Sequence, residues 1–74
     1  MDVWEGRHPA TQHFKALFAY DHLPPHLQEI SGRVANLAQY MVAELPDGPE
    51  LTAGLRKLVE AKDCFVRAAV AKDR

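Results

Sequence analysis

The side chains best suited to hold an anion cluster toward the end of the chain: Arg56, Lys62, Asp63 and Arg67, with Glu60 among them. At helical spacing Arg56 pairs with Glu60 and Asp63 with Arg67, each as an i,i+4 ion pair. On spacing alone the simpler reading is a solvated face laced with such pairs, each worth about 0.2–0.5 kcal/mol. The same pattern has chemical potential, because an arginine steadied by a carboxylate is well placed to grip phosphate through two parallel hydrogen bonds. Lys62 is placed differently. At about 100° per residue it falls near the middle of an apolar stripe. Either its stem lies along apolar surface while the ammonium reaches water or a carboxylate, or a cavity opens there between subunits and the amine is aimed at an anion.

Two tyrosines offer the other half of a nucleotide site. Tyr20 ends a short helical segment, and Tyr40 stands beside Arg33 and Asn36, away from the main apolar seam. An exposed aromatic ring can stack on a base, worth roughly 1–3 kcal/mol. Tyr40 equally suits a subunit contact, and Phe14 and Phe18 read as core. Catalytic chemistry finds no motif. His22 and His26 are separated by Pro24 and Pro25, which prevent a regular helix from aligning them. His8 and His13 do not match the spacing of a helical metal site. Cys64 has no identifiable histidine base and reads as a small buried hydrophobe. No phosphate loop or nucleophile elbow occurs. The expectation is a protein that is not an enzyme and uses no cofactor or metal.

These side chains must be positioned by 74 residues, enough for one domain. A core of this size rarely supplies more than roughly 3–5 kcal/mol, so disulfides, a metal or self-association usually help. Cys64 is the only cysteine, which excludes an intrachain disulfide and points to a reducing compartment. Self-association is the expected support. Nine Lys and Arg against ten Asp and Glu leave a formal net charge of −1. That balance does not suit a coat for long DNA or RNA, whereas two or three local cations suffice for a small anion. No apolar run approaches bilayer length, and "MDVWEGRHPA" lacks the order of a signal peptide. A cytoplasmic protein is expected.

Proline and glycine divide the chain. Residues 1–7 read as a flexible N-terminal tail or short arm, and residues 8–74 as a helical domain. "HPATQHFKALFAY" predicts a short helix with Pro9 in its first turn and Phe14, Leu17 and Phe18 on one face. After the turn "DHLPPHLQ", the next helix carries Leu27, Ile30, Val34, Leu37 and Met41 in steps of three and four, the spacing of a packing seam. Gly32 marks a close approach. "PDGPE" ends that helix and starts another, with Asp47 or Gly48 as cap and Pro49 in the first turn. The last helix shows Leu51, Leu55, Leu58, Phe65 and Ala69 on one face, flanked by Val59, Val66 and Val70. So short a connection predicts an antiparallel hairpin. The second apolar flank predicts a further partner surface. The fold expected is all-α: a short N-terminal helix plus an antiparallel helical hairpin, in an oligomeric bundle.

"FAYDHLPPHLQEIS" followed by "ELTAGLRKLVEAKDCFVRAAV" resembles a family of small phage proteins, the anti-CBASS and anti-Thoeris sponges, which sequester cyclic-nucleotide immune signals. The resemblance covers nearly the whole chain after His8, with "LVEAKDCFVRA" and the preceding "LRKL" its most distinctive letters. It implies an oligomer, typically a hexamer, of helical hairpins. It also implies pockets shared between subunits that bind cyclic di- or trinucleotides, or cyclic ADP-ribose isomers, without cleaving them. The positions it carries over are Lys62, Asp63 and Arg67, with Tyr20 for base stacking. Phe65 stands where the family pattern has a smaller residue, which narrows a pocket near Arg67. The alternative is a helical-hairpin adaptor or structural protein that docks its second apolar face on another protein.

Overall fold

A computed structural model describes residues 2–72. Four helices follow in order: α1 (Pro9–Gln12), α2 (Phe14–Leu17), α3 (Pro25–Glu44) and α4 (Pro49–Lys72). The described residues are all-helical apart from turns, and no strand occurs among them. The predicted short helix is therefore two single turns meeting at His13. Pro9 takes the first position of α1, and the His8 side chain caps it by accepting from the Ala10 N–H at 3.0 Å.

Pro25 opens α3 and Pro49 opens α4, where each proline's missing N–H has no helical partner to lose. Of the two expected caps for α4, Gly48 takes the position. Its carbonyl accepts from the Thr52 N–H at 3.1 Å, and its φ of +156° favours glycine. Asp47 instead turns to the N-terminal segment. It accepts from the Thr11 hydroxyl at 2.8 Å, the His8 N–H at 3.1 Å and Arg7 Nε at 3.2 Å.

Helices α3 and α4 form the main packed pair. At 1.5 Å per residue they run about 30 and 36 Å, against a longest dimension of 41 Å for the described residues. Leu37, Met41 and Leu45 near the end of α3 share a groove with Leu51 and Leu55 near the start of α4. Ile30 and Val34 share another with Phe65 and Ala69 farther along α4.

The core differs from the expected seam. On α3 the buried side chains are Leu27, Ser31, Ala35, Ala38 and Val42, while Leu37 is 45 % exposed and Ile30, Val34 and Met41 are half-buried. The reason is volume. Trp4 and Phe18 line one groove with Ala35 of α3, and with Phe14 they belong to the same buried cluster as Ala35, Ala38, Val42, Leu51 and Leu55. Large rings need small partners beneath them, so the alanine face turns inward and the larger aliphatic face outward. On α4 only Leu51 and Leu55 of the expected stripe are buried; Phe65 is 55 % exposed.

Of the stretch read as a flexible tail or short arm, residues 2–7 form a packed arm, the second of those alternatives. Trp4 is 4 % exposed, with its ring 6.3 Å from that of Phe18. A buried indole removes a large apolar area from water, which offsets the ordering of the arm. Arg7 donates to the carbonyls of Val42 and Leu45 at the end of α3, and Lys15 pairs with Asp2. Leu17, expected inside, is exposed. Among the described residues no helix is long and apolar enough to cross a membrane.

Candidate anion-binding groove

Three elements and one turn enclose a groove of about 380 Å³. The turn after α2 is fixed by the Leu23 N–H on the Tyr20 carbonyl at 3.1 Å. Gln28 Nε2 then ties α3 to the Leu23 carbonyl at 2.8 Å. The groove is lined by Ala16 and Leu17 of α2, His22 and Leu23 of the turn, the buried Ser31 of α3, and Lys62, Asp63, Val66 and Arg67 of α4.

Lys62 answers the question raised by its place in an apolar stripe. Its side chain is 16 % exposed, and its Nζ lies 3.1 Å from Asp63 Oδ1, the carboxylate itself being 48 % exposed. The mostly buried stem with its ammonium on a neighbouring carboxylate is the first of the two expected arrangements, and the same residue also lines the groove. Arg67 is exposed, and its Nη2 donates to Cys64 Sγ at 3.3 Å. The Arg56–Glu60 and Asp63–Arg67 ion pairs suggested by spacing are not formed among the described residues. Asp63 is engaged by its chain neighbour Lys62, which leaves the guanidinium fork of Arg67 without a carboxylate.

Two expected site residues lie elsewhere. Arg56 sits about 10 Å along α4 from Asp63, two turns at the helical rise. It stands over the Phe14 ring, 5.5 Å from its centroid, in a cation–π contact. Tyr20 is half-buried against Gly32, where an added Cβ would come within 3.2 Å of the ring. That contact explains the glycine: the close approach is by a tyrosine ring and not by a helix. Tyr20 lines the adjoining groove with Trp4, Lys15 and Phe18, and the Ala16–Ala19 ridge separates it from Lys62 and Arg67. Phe65 lies in the groove with Ile30 and Val34, so it does not narrow the space around Arg67. Cys64, expected as buried, is exposed.

Sequence reasoning missed Ser31. It is buried, and its Oγ has no hydrogen-bond partner. A hydroxyl amid helix formers gives no signal of this kind, because only the fold shows which face of α3 turns inward. His22 was considered only as half of a metal pair; it is an exposed groove wall, with Nδ1 4.0 Å from Asp21 Oδ1. Among the described residues no group of three His, Cys, Asp or Glu side chains is placed to hold a metal ion.

The side chains gathered here have the chemistry to hold a small anion. Two cations of different geometry, a carboxylate, an imidazole and a buried hydroxyl face a space also walled by Leu17, Leu23 and Val66. Such a site combines apolar area with a few placed polar groups, as small-molecule sites do. No family model matches the chain, and neither a curated protein nor a solved structure matches it.

Proposed function

We propose that this chain is an oligomeric binding protein that sequesters cyclic-nucleotide immune messengers without cleaving them, in the manner of the phage sponges its sequence resembles. The ligand class is a cyclic di- or trinucleotide or a cyclic ADP-ribose isomer. The observation that carries the reading is that Lys62 and Arg67, the positions brought by the resemblance, line one groove with the unpartnered hydroxyl of Ser31. In this reading α3 and α4 are an antiparallel hairpin, and the hairpins assemble in the host bacterial cytoplasm as a hexamer. The outward aliphatic side chains support assembly. Leu37, Met41 and Leu45 with Leu58, and Ile30 and Val34 with Phe65, form apolar grooves on the outer side of the helix pair. A partner surface that covers them removes apolar area from water. Ligand bound between subunits would stabilise the assembly by mass action.

The test is a thermal-shift screen with cyclic dinucleotides, cyclic trinucleotides and cyclic ADP-ribose isomers. A rise in Tm with one ligand class is expected. Chromatography of the ligand released on denaturation should return it intact. No shift with any member would sink the sequestration reading. The same outward face also suits an adaptor that docks on another protein, and that reading requires nothing of Lys62 or Arg67. A Lys62→Ala, Arg67→Ala double variant that keeps full anti-defence activity would favour the adaptor.

A further inference from the structure

We infer that the groove selects a singly charged phosphodiester, with Ser31 as the hydroxyl that anchors its oxygen and Asp63 as the carboxylate that turns away terminal phosphates. The inference rests on the anion-binding reading of this groove. Ser31 is 2 % exposed, and among the described residues its Oγ is the buried side-chain polar atom without a hydrogen-bond partner. Keeping a hydroxyl from water with no partner is unfavourable. The next residues on the same buried face, Ala35 and Ala38, show what packing alone asks of α3: a small apolar side chain. Alanine is also the better helix former. A serine at this position thus weakens the empty protein and has a use only when something supplies a partner. Ser31 lines the same groove as Lys62 and Arg67, so an anion oxygen seated there is that partner. A turn of χ1 to another staggered position would present the buried Oγ to the groove.

The groove also sets the charge of its ligand. Lys62 and Arg67 bring two positive charges and Asp63 one negative, with no other lysine, arginine or carboxylate among the described residues of the lining. Lys62 is already partly compensated by Asp63 at 3.1 Å. A phosphodiester carries one negative charge and balances the remainder. A terminal phosphomonoester carries about −1.5 to −2 at pH 7, and its excess would face Asp63. A sequestering protein with this site holds the intact ring and disregards the linear, phosphorylated product of its breakdown.

The experiment is calorimetric titration of wild type, Ser31→Ala, Ser31→Thr and Asp63→Asn with three probes, each in adenine and guanine form. They are the cyclic dinucleotide, the dinucleoside monophosphate with one phosphodiester and no terminal phosphate, and the linear dinucleotide bearing a 5′-phosphate. Wild type should bind the first two more tightly than the third, by roughly fivefold for one exposed like-charge contact. Asp63→Asn should close that gap by strengthening the third. Ser31→Ala should weaken every probe by about tenfold, while its melting temperature without ligand holds or rises; Ser31→Thr should keep the affinity. Equal binding of the 5′-phosphorylated probe by wild type overturns the charge selection. A gap that survives in Asp63→Asn removes Asp63 from that role. Unchanged affinity in Ser31→Ala, or a lower melting temperature, overturns the anchor. If the dinucleoside monophosphate binds in a Ser31-dependent way while the cyclic dinucleotide here, and every cyclic ligand of the thermal-shift screen, fails to bind, the inference stands and sequestration falls. If the cyclic form binds and Ser31→Ala is indifferent, sequestration stands and the inference falls. Wild type that binds no probe overturns the inference, and sequestration of cyclic dinucleotides with it.

Discussion

Arg7 Nη2 lies 2.7 Å from the backbone carbonyl of Leu45, so a residue ahead of the first helix closes the end of α3. A second guanidinium nitrogen takes the Val42 carbonyl, and Nε reaches Asp47 at 3.2 Å. The last carbonyls of a helix have no intrahelical partner, and a cation there also meets the negative end of the dipole. One side chain therefore joins the arm, the end of α3 and the turn into α4. It ties down the arm that carries Trp4, whose ring belongs to the same buried cluster as Ala35 and Ala38.

Arg7→Ala should accordingly destabilise the fold by about 1.5–3 kcal/mol, the range for hydrogen bonds made by a charged group. Arg7→Lys should recover part of this, because an ammonium cannot reach both carbonyls and the carboxylate in one plane. Urea unfolding followed by circular dichroism is the measurement, with the slope expected to stay as in wild type. An Arg7→Ala midpoint equal to wild type would mean that the arm contributes no net stability.

The arm should release in acid. The Thr11 hydroxyl bond lowers the Asp47 carboxyl below its ordinary value of 3.8, helped by the His8 N–H and by Arg7. Asp2 is lowered from 3.8 in the same sense, first by its bond from Lys15 and then by the Trp4 N–H. A carboxylate depressed in the folded state adds stability above its unfolded value, and that stability is lost as pH falls through the folded value. Trp4 is the only tryptophan, so its emission reports the arm alone. The emission should shift to the red as pH falls below 3.8, and Asp47→Asn should show part of that shift already at neutral pH. An emission maximum that stays constant while the arm's ion pairs titrate would refute the latch.

Helix content, the proline starts and the punctuated turn were legible because each rests on local chemistry: Pro9, Pro25 and Pro49 all sit where a first turn tolerates them. The inward face of α3 was not legible. Periodicity ranks Ile30, Val34, Leu37 and Met41 above Ala35 and Ala38 by hydrophobicity, and it cannot know that Trp4 and Phe14 will arrive from outside the pattern. Cys64 shows the same limit. It lies beside an apolar arc, yet the thiol is exposed. Lys62 was legible as an anomaly, and Ser31 was not, because an unpartnered atom is a property of three dimensions.

The outward aliphatic face makes the oligomer testable. Phe65→Glu and Leu37→Glu place a charge in the two apolar grooves while touching little of the buried cluster. Light scattering of wild type at micromolar concentration should give a mass several times 8.3 kDa. Either variant should move it toward the monomer with helicity kept, since a buried unpaired carboxylate opposes association. A wild-type mass of one chain across a wide concentration range would remove the oligomer and weaken the sequestration reading with it.

Arg67 gives the sharpest test of the groove. Its guanidinium is exposed, and its contact within the chain is the Cys64 sulfur at 3.3 Å, a weak acceptor. Arg67→Ala should therefore leave the melting temperature without ligand nearly unchanged, and Cys64→Ser should do the same. Ligand binding should respond differently. Losing a charge-assisted hydrogen bond to phosphate costs about 1.5–3 kcal/mol, or roughly ten- to a hundredfold in affinity. Arg67→Lys should restore only part of it, because the planar fork that holds two oxygens is absent. Cys64→Ser should bind within a few-fold of wild type, which separates loss of the guanidinium from loss of its sulfur contact. The measurement is calorimetric titration of the three variants against whichever cyclic nucleotide raises the melting temperature most. Wild-type affinity in Arg67→Ala would show that the groove binds without its exposed cation, and Lys62 with Ser31 would then have to hold the ligand alone.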